Sequence, residues 1–173
     1  MSVDPVIATI IRFALGWLFL AAAAHKLRDM ADFRSVLATY RILPERLVAV
    51  AAWLVVVVEV AIGLGMLWQF TPAFVVGAAL LLVYAGVMAI NLLRGRRFID
   101  CGCGGATQPL SIGLVLRNLV LAIAAITALA PSPARPLGGL DIVSMVAGVL
   151  VLGALYAATN QLLAARARLE EWV

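Results

Sequence analysis

Residues 98–105 read FIDCGCGG and hold both cysteines of the chain, Cys101 and Cys103, with Gly102 alone between them. A disulfide between positions i and i+2 closes a small, strained ring, and a glycine in the middle supplies the permissive backbone that such a ring needs. Strained disulfides have more oxidising potentials and tend to be labile rather than structural. As a staple this bridge would contribute little, because it closes almost no loop. Gly104 and Gly105 then leave room for a partner's backbone, a partner's thiol or a quinone to approach. The chemistry expected first is a dithiol–disulfide pair that exchanges electrons. Two other readings stay open: a thiolate pair holding a soft metal such as Cu(I) or Hg(II) together with His25, the lone histidine, and two unreactive residues in a tight turn.

Several further residues carry charge or hydrogen-bonding capacity where apolar residues dominate. Asp100 is the only charge between Phe98 and Leu116. Arg117 stands about two turns into a later apolar run; its cation would favour a nearby thiolate, the attacking species, or snorkel to the interface. Asn91 is placed to hydrogen-bond across the same pocket or to join two helices. His25 and Lys26 end the first apolar run, as interfacial anchors or as part of the site. Arg12 and Glu59 lie where a charge costs at least about 2–3 kcal/mol at mid-membrane. Antiparallel spans would set these two at similar depth, so an Arg12–Glu59 ion pair is expected, as a lock between helices or in a proton or quinone role. No haem or flavin motif is visible, and a quinone site leaves no reliable sequence mark.

The elements that must position these residues are apolar helices. Of 173 residues, 65% are hydrophobic and 13% charged, with a mean hydropathy of +1.09. Soluble domains carry about half apolar and about a quarter charged residues, so lipid must be the solvent for much of this surface. Continuous apolar runs of about 20 residues predict spans at about 5–24, 47–68, 72–93, 111–130 and 141–164. Helices are the only plausible spanning form, since the runs do not alternate and lipid satisfies no open backbone group. The first run has Asp4, no early basic residue, and Arg12 within it, so it is expected to be a retained helix and not a signal peptide. The fold class is therefore all-α: one polytopic membrane bundle over residues 1–173, with four to five transmembrane helices.

Residues 29–46, DMADFRSVLATYRILPER, are too charged to cross. Their Phe33, Val36, Leu37 and Tyr40 recur at helical spacing, which predicts an amphipathic helix along the interface. With five alternating spans, Lys26, Arg28, Arg34, Arg41, Arg46, Arg94, Arg96, Arg97, Arg166 and Arg168 fall on one side and only Arg135 on the other. That bias predicts an N-terminus outside and a C-terminus in the cytoplasm. The same count accounts for the net charge of +4 through membrane topology and excludes nucleic acid as a partner.

Four features together resemble the MauE branch of the MauE/DoxX membrane proteins. They are RFALGWLFLAAAAHKLRD at 12–29, the F-x6-Y-R-I-L-P of Phe33 to Pro44, Glu59 in the second span, and DCGCGG at 100–105. In order and spacing they cover roughly the first two-thirds of the chain. The resemblance implies a helical-bundle protein of the bacterial inner membrane associated with thiol redox. It further implies a thioredoxin-like partner and an exported, disulfide-containing client, as in maturation of the methylamine dehydrogenase small subunit. The family's cysteine pair falls on Cys101 and Cys103. Members usually read CGCFG, whereas Gly104 stands here in the aromatic position. A non-catalytic DoxX-like membrane subunit is the remaining alternative.

The implied client is exported, yet Arg94, Arg96 and Arg97 deliver the cysteines from the cytoplasmic side. A pair sitting mid-bundle and exposed alternately to both sides reconciles the two. Labelling Cys101 and Cys103 with a membrane-impermeant maleimide, in intact cells and in inverted vesicles, tests this. A relay across the membrane requires labelling from both sides as the redox state changes; labelling in inverted vesicles alone, in both redox states, rules it out.

Overall fold

Asp4 accepts a hydrogen bond from the Val6 N–H at 2.8 Å, and Pro5 occupies the first turn, so the first helix starts at a defined point. In the computed structural model, which describes residues 3–96, 99–102, 108–133 and 135–170, this helix, α1, runs from Pro5 to Arg28. It outlasts the apolar run by a turn because His25, Lys26 and Arg28 are cations at a helix C-terminus, where the macrodipole favours them. Asp29 ends α1 and at once caps α2 (Met30–Thr39), accepting from the Asp32 N–H at 2.9 Å. Pro44, extended, introduces α3 (Glu45–Leu67), and Pro72 lies in the first turn of α4 (Thr71–Leu93). Then come α5 (Ile112–Thr127) and α6 (Gly139–Glu170).

Four of these helices, α1, α3, α4 and α6, are long and apolar enough to cross a membrane. The run expected to span 111–130 forms the 16-residue α5, about 24 Å at 1.5 Å per residue and short of a bilayer core of about 30 Å. The architecture is a helical membrane bundle with no strand among the described residues. Leu93, Trp68, Trp17 and most apolar side chains of α6 point outward, toward where lipid would be.

Helices α1 and α3 run antiparallel in close contact. A Cβ added to Gly63 would lie 3.0 Å from the Gly16 carbonyl oxygen and 2.7 Å from Leu20 Cγ. The small residues thus let the two backbones approach, the usual basis of helix association in lipid. Phe19, Met66 and Phe74, all but fully buried, form the core at this level together with alanines of α4 and α5. Helix α5 packs on α4, and α6 lies against α1, where Ile10 fills the space over Gly148.

This register replaces the expected Arg12–Glu59 pair with another. Lys26 Nζ lies 2.7 and 2.9 Å from the two oxygens of Glu59, and both side chains are buried, at 5% and 1% exposure. Arg12 instead donates from Nε and Nη2 to the Ala128 carbonyl at 3.0 and 2.7 Å, and from Nη1 to Gln69 Oε1 at 3.0 Å. The cause is the direction of side chains on helices, whose Cα–Cβ bonds tilt toward the N-terminus. On antiparallel α1 and α3, Lys26 and Glu59 lean toward each other from opposite ends, while Arg12 leans away toward the far end of the bundle. There it closes the α3–α4 turn onto the end of α5.

Removing one partner of a buried pair leaves an uncompensated charge and typically costs about 3–5 kcal/mol. Lys26→Met and Glu59→Gln should each lower the melting midpoint in detergent by a corresponding amount, and the double variant should recover most of the loss. Equal destabilisation by the double variant and the sum of the singles would show that the two side chains do not act as a pair.

Candidate functional site

The segment after α4 turns back on itself beneath α2. Asp100 and Pro109 form an isolated antiparallel bridge, extended by hydrogen bonds from the Cys101 N–H to the Gln108 carbonyl and from the Leu110 N–H to the Ile99 carbonyl, both 3.0 Å. Asp100 Oδ1 accepts from the Gly102 and Gln108 N–H groups at 3.2 and 3.4 Å. The carboxylate therefore holds the two arms of the turn together, as Asp and Asn commonly do from within loops. Gly102 has φ +66°, and a Cβ there would meet Val36 Cγ1 at 3.1 Å. Both the left-handed backbone and the contact with α2 select glycine. Cys103, Gly104 and Gly105 lie outside the described residues.

Cys101 is buried in a cluster with Tyr40, Met88, Leu110 and Leu114. Tyr40 O–H donates to the Cys101 carbonyl at 3.1 Å, fastening the turn to the C-terminal end of α2. Cys101 Sγ lies 3.8 Å from Gln108 Oε1, a long thiol contact. Gln108 Nε2 in turn donates to the Asn160 carbonyl of α6 at 2.6 Å. Phe33, Val36 and Tyr40, expected on an interfacial helix, direct the apolar face of α2 onto this turn and onto α3.

A cavity of about 70 Å³ lies between these elements. Lys26, Phe33, Tyr40, Tyr84, Met88 and Cys101 are among its walls. At about 10–15 Å³ per water on this measure, it has room for several waters. Glu59 stands behind Lys26 and accepts a third hydrogen bond from Tyr84 O–H at 2.8 Å. The Lys26 ammonium also lies 5.4 Å from the Phe33 ring centre and 5.9 Å from that of Tyr84, so aromatic faces help solvate it. Two buried residues, Cys101 and Lys26, thus line one small, otherwise largely apolar space.

The remaining residues singled out from sequence divide by position. Arg117 is buried on α5, with Nη1 donating to Asn160 Oδ1 at 2.6 Å and its guanidinium 5.6 Å from the Tyr156 ring centre. It thereby ties α5 to α6 close to the turn. Asn91, fully buried, donates to the Val87 carbonyl at 3.1 Å, while its Oδ1 has no hydrogen-bond partner among the described residues. His25 is exposed beside buried Lys26 and is not among the residues that line the cavity. Among the described residues no three metal-ligating side chains come together. Sequence reasoning missed Tyr84, Gln108 and Asn160. Tyr84 carried a signal, a single hydroxyl inside an apolar run, whereas nothing local marks Gln108 or Asn160 as partners.

Comparison with known proteins gives a consistent match. The family model for methylamine utilisation protein MauE matches residues 4–131. A methylamine utilization protein MauE of Paracoccus denitrificans is 44% identical over 136 residues, 76% of this chain and 73% of the relative. One from Paracoccus versutus is 37% identical over 164 residues, covering 92% and 88%. A third, from Methylorubrum extorquens, is 35% identical over 140 residues, covering 79% and 75%. No solved structure matches. The matched region takes in α1 to α5, the buried Lys26–Glu59 pair and the cysteine turn, and on these grounds the chain belongs to the MauE family.

Proposed function

We propose that this chain is an accessory membrane protein of methylamine utilisation whose Cys101–Cys103 pair undergoes thiol–disulfide exchange. A thioredoxin-like protein is the exchange partner, and a disulfide-containing exported protein is the eventual client. The observation that carries the reading is the placement of Cys101: a turn built around a left-handed Gly102 and an Asp100 bracket holds it on the wall of a cavity that the buried Lys26 also lines. Packing alone has no use for such a turn, and thiol exchange depends on a cysteine held in an electropositive microenvironment. The names of the relatives, methylamine utilization proteins, support the pathway.

In the exchange, one thiolate of the pair attacks a sulfur of the partner's disulfide, forming a mixed disulfide and releasing the partner's other sulfur as a thiolate. The second cysteine then attacks the mixed disulfide and frees the partner as a dithiol. Two protons and two electrons leave this chain and reach the partner, so the balance closes without a further cofactor; the reverse reaction runs through the same intermediate. The protein sits in the bacterial inner membrane with its N-terminus outside, the orientation favoured by Lys26, Arg28, Arg34, Arg41, Arg46, Arg94, Arg96 and Arg97, whose common side does not depend on whether α5 crosses.

Equilibrating the purified protein in glutathione buffers of graded potential, then counting alkylated thiols by mass, tests the pair. Cys101 and Cys103 should gain and lose reactivity together, as a two-electron couple. A double Cys101→Ser, Cys103→Ser variant should fail to support growth on methylamine in a host that depends on this chain. Thiols that titrate independently, or full function of the double variant, would refute the proposal.

A further inference from the structure

Lys26 and Glu59 lock two helices together, and the position of Lys26 at the cavity gives the pair a second role. Lys26 lines the same space as Cys101, whereas Glu59 stands behind it and takes two of its three N–H donors. We infer that Lys26 is the positioning cation for the Cys101 thiolate, and that Glu59 sets how much of its charge is available. This rests on the thiol chemistry proposed above and adds to it the group that makes a buried cysteine usable.

An isolated thiolate in an apolar cavity is strongly disfavoured, since burial penalises the charged form. Lys26, on the same cavity, offsets that penalty, and Glu59 compensates its charge when the sulfur is protonated. On ionisation the S–H bond breaks and the proton is released to water; attack of the thiolate on the partner's disulfide then frees the partner's other sulfur as a thiolate, which takes up a proton from water. The ammonium keeps all three of its protons and is then shared between carboxylate and thiolate.

Each element around the sulfur contributes identifiable polar groups. Helix α2 supplies Tyr40, whose hydroxyl is committed to the Cys101 carbonyl. Helix α4 supplies Tyr84, which donates to Glu59. The turn supplies Asp100, bonded to two backbone N–H groups, and the neutral Gln108. Helix α5 supplies Arg117, whose head group reaches Asn160 and Tyr156 on α6. Among these, Lys26 is the cation that shares the cavity wall with Cys101.

The test uses the full chain in detergent with Cys103→Ser, which leaves Cys101 as the one thiol. The rate of alkylation by iodoacetamide is followed against pH, well below each variant's melting midpoint. Adding Lys26→Met with Glu59→Gln should move the midpoint of the rate profile up and slow the reaction at neutral pH about threefold, less than the loss of a lone cation, because the opposing charge of Glu59 goes with it. Adding Glu59→Gln alone should move the midpoint down, because Lys26 then has only the thiolate to pair with. A purely structural role predicts that both substitutions loosen the bundle and shift the profile in the same direction. Opposite shifts establish the role of Lys26; unchanged profiles, or shifts of one sign, overturn it. The outcome is independent of whether Cys101 and Cys103 form a redox couple, which the glutathione titration decides separately.

Discussion

A lysine and a glutamate buried in an apolar bundle constrain everything around them. Each charge alone would be expensive in this medium, so the helices that carry them must hold a register in which ammonium and carboxylate meet. The close approach of Gly16 and Gly63 sets that register on one side. The Tyr84 hydroxyl and the rings of Phe33 and Tyr84 complete the solvation on the other. Three membrane helices and the short α2 are thereby tied to one polar point, and the cavity beside it follows from their geometry.

The cysteine turn is attached to the same frame by polar contacts at its base. Tyr40 holds it to α2, Asp100 braces its two arms, and Gln108 joins it to α6. Arg117 makes a second link from α5 to Asn160. The long and otherwise sparsely packed α6 is thus joined at Asn160 to the turn through its backbone carbonyl and to α5 through its side chain. A change at the sulfur has a short covalent and hydrogen-bonded route to α6, and an equally short one to α2. The buried Cys101 is thereby joined to both helices through its own turn.

Much of this was legible in the residues themselves. The apolar runs marked the helices, because a bilayer leaves a continuous run no other way to satisfy its backbone. The spacing of Phe33, Val36, Leu37 and Tyr40 marked α2 and its apolar face. FIDCGCGG marked the turn, and the MauE resemblance was readable from the order of four short motifs. The shortness of α5 was not readable, because Pro109, Ser111 and the run to Ala130 do not say where helical hydrogen bonding stops. Arg12 and Glu59 were the natural pair on depth alone. Depth counts residues along an axis and ignores the lean of side chains toward helix N-termini, which carries Lys26 inward and Arg12 outward.

The sequence by itself determined that this is a membrane bundle, that charges inside it must be compensated, and that two cysteines share a glycine-rich turn, because these depend on composition and local spacing. Only the tertiary structure decided which charges meet, that α2 closes over Cys101, and that Lys26 and Cys101 line one cavity. Those facts rest on contacts between residues far apart along the chain, such as Lys26 with Glu59 and Tyr40 with Cys101, 33 and 61 positions apart, and helix direction and crossing, not proximity along the chain, set them.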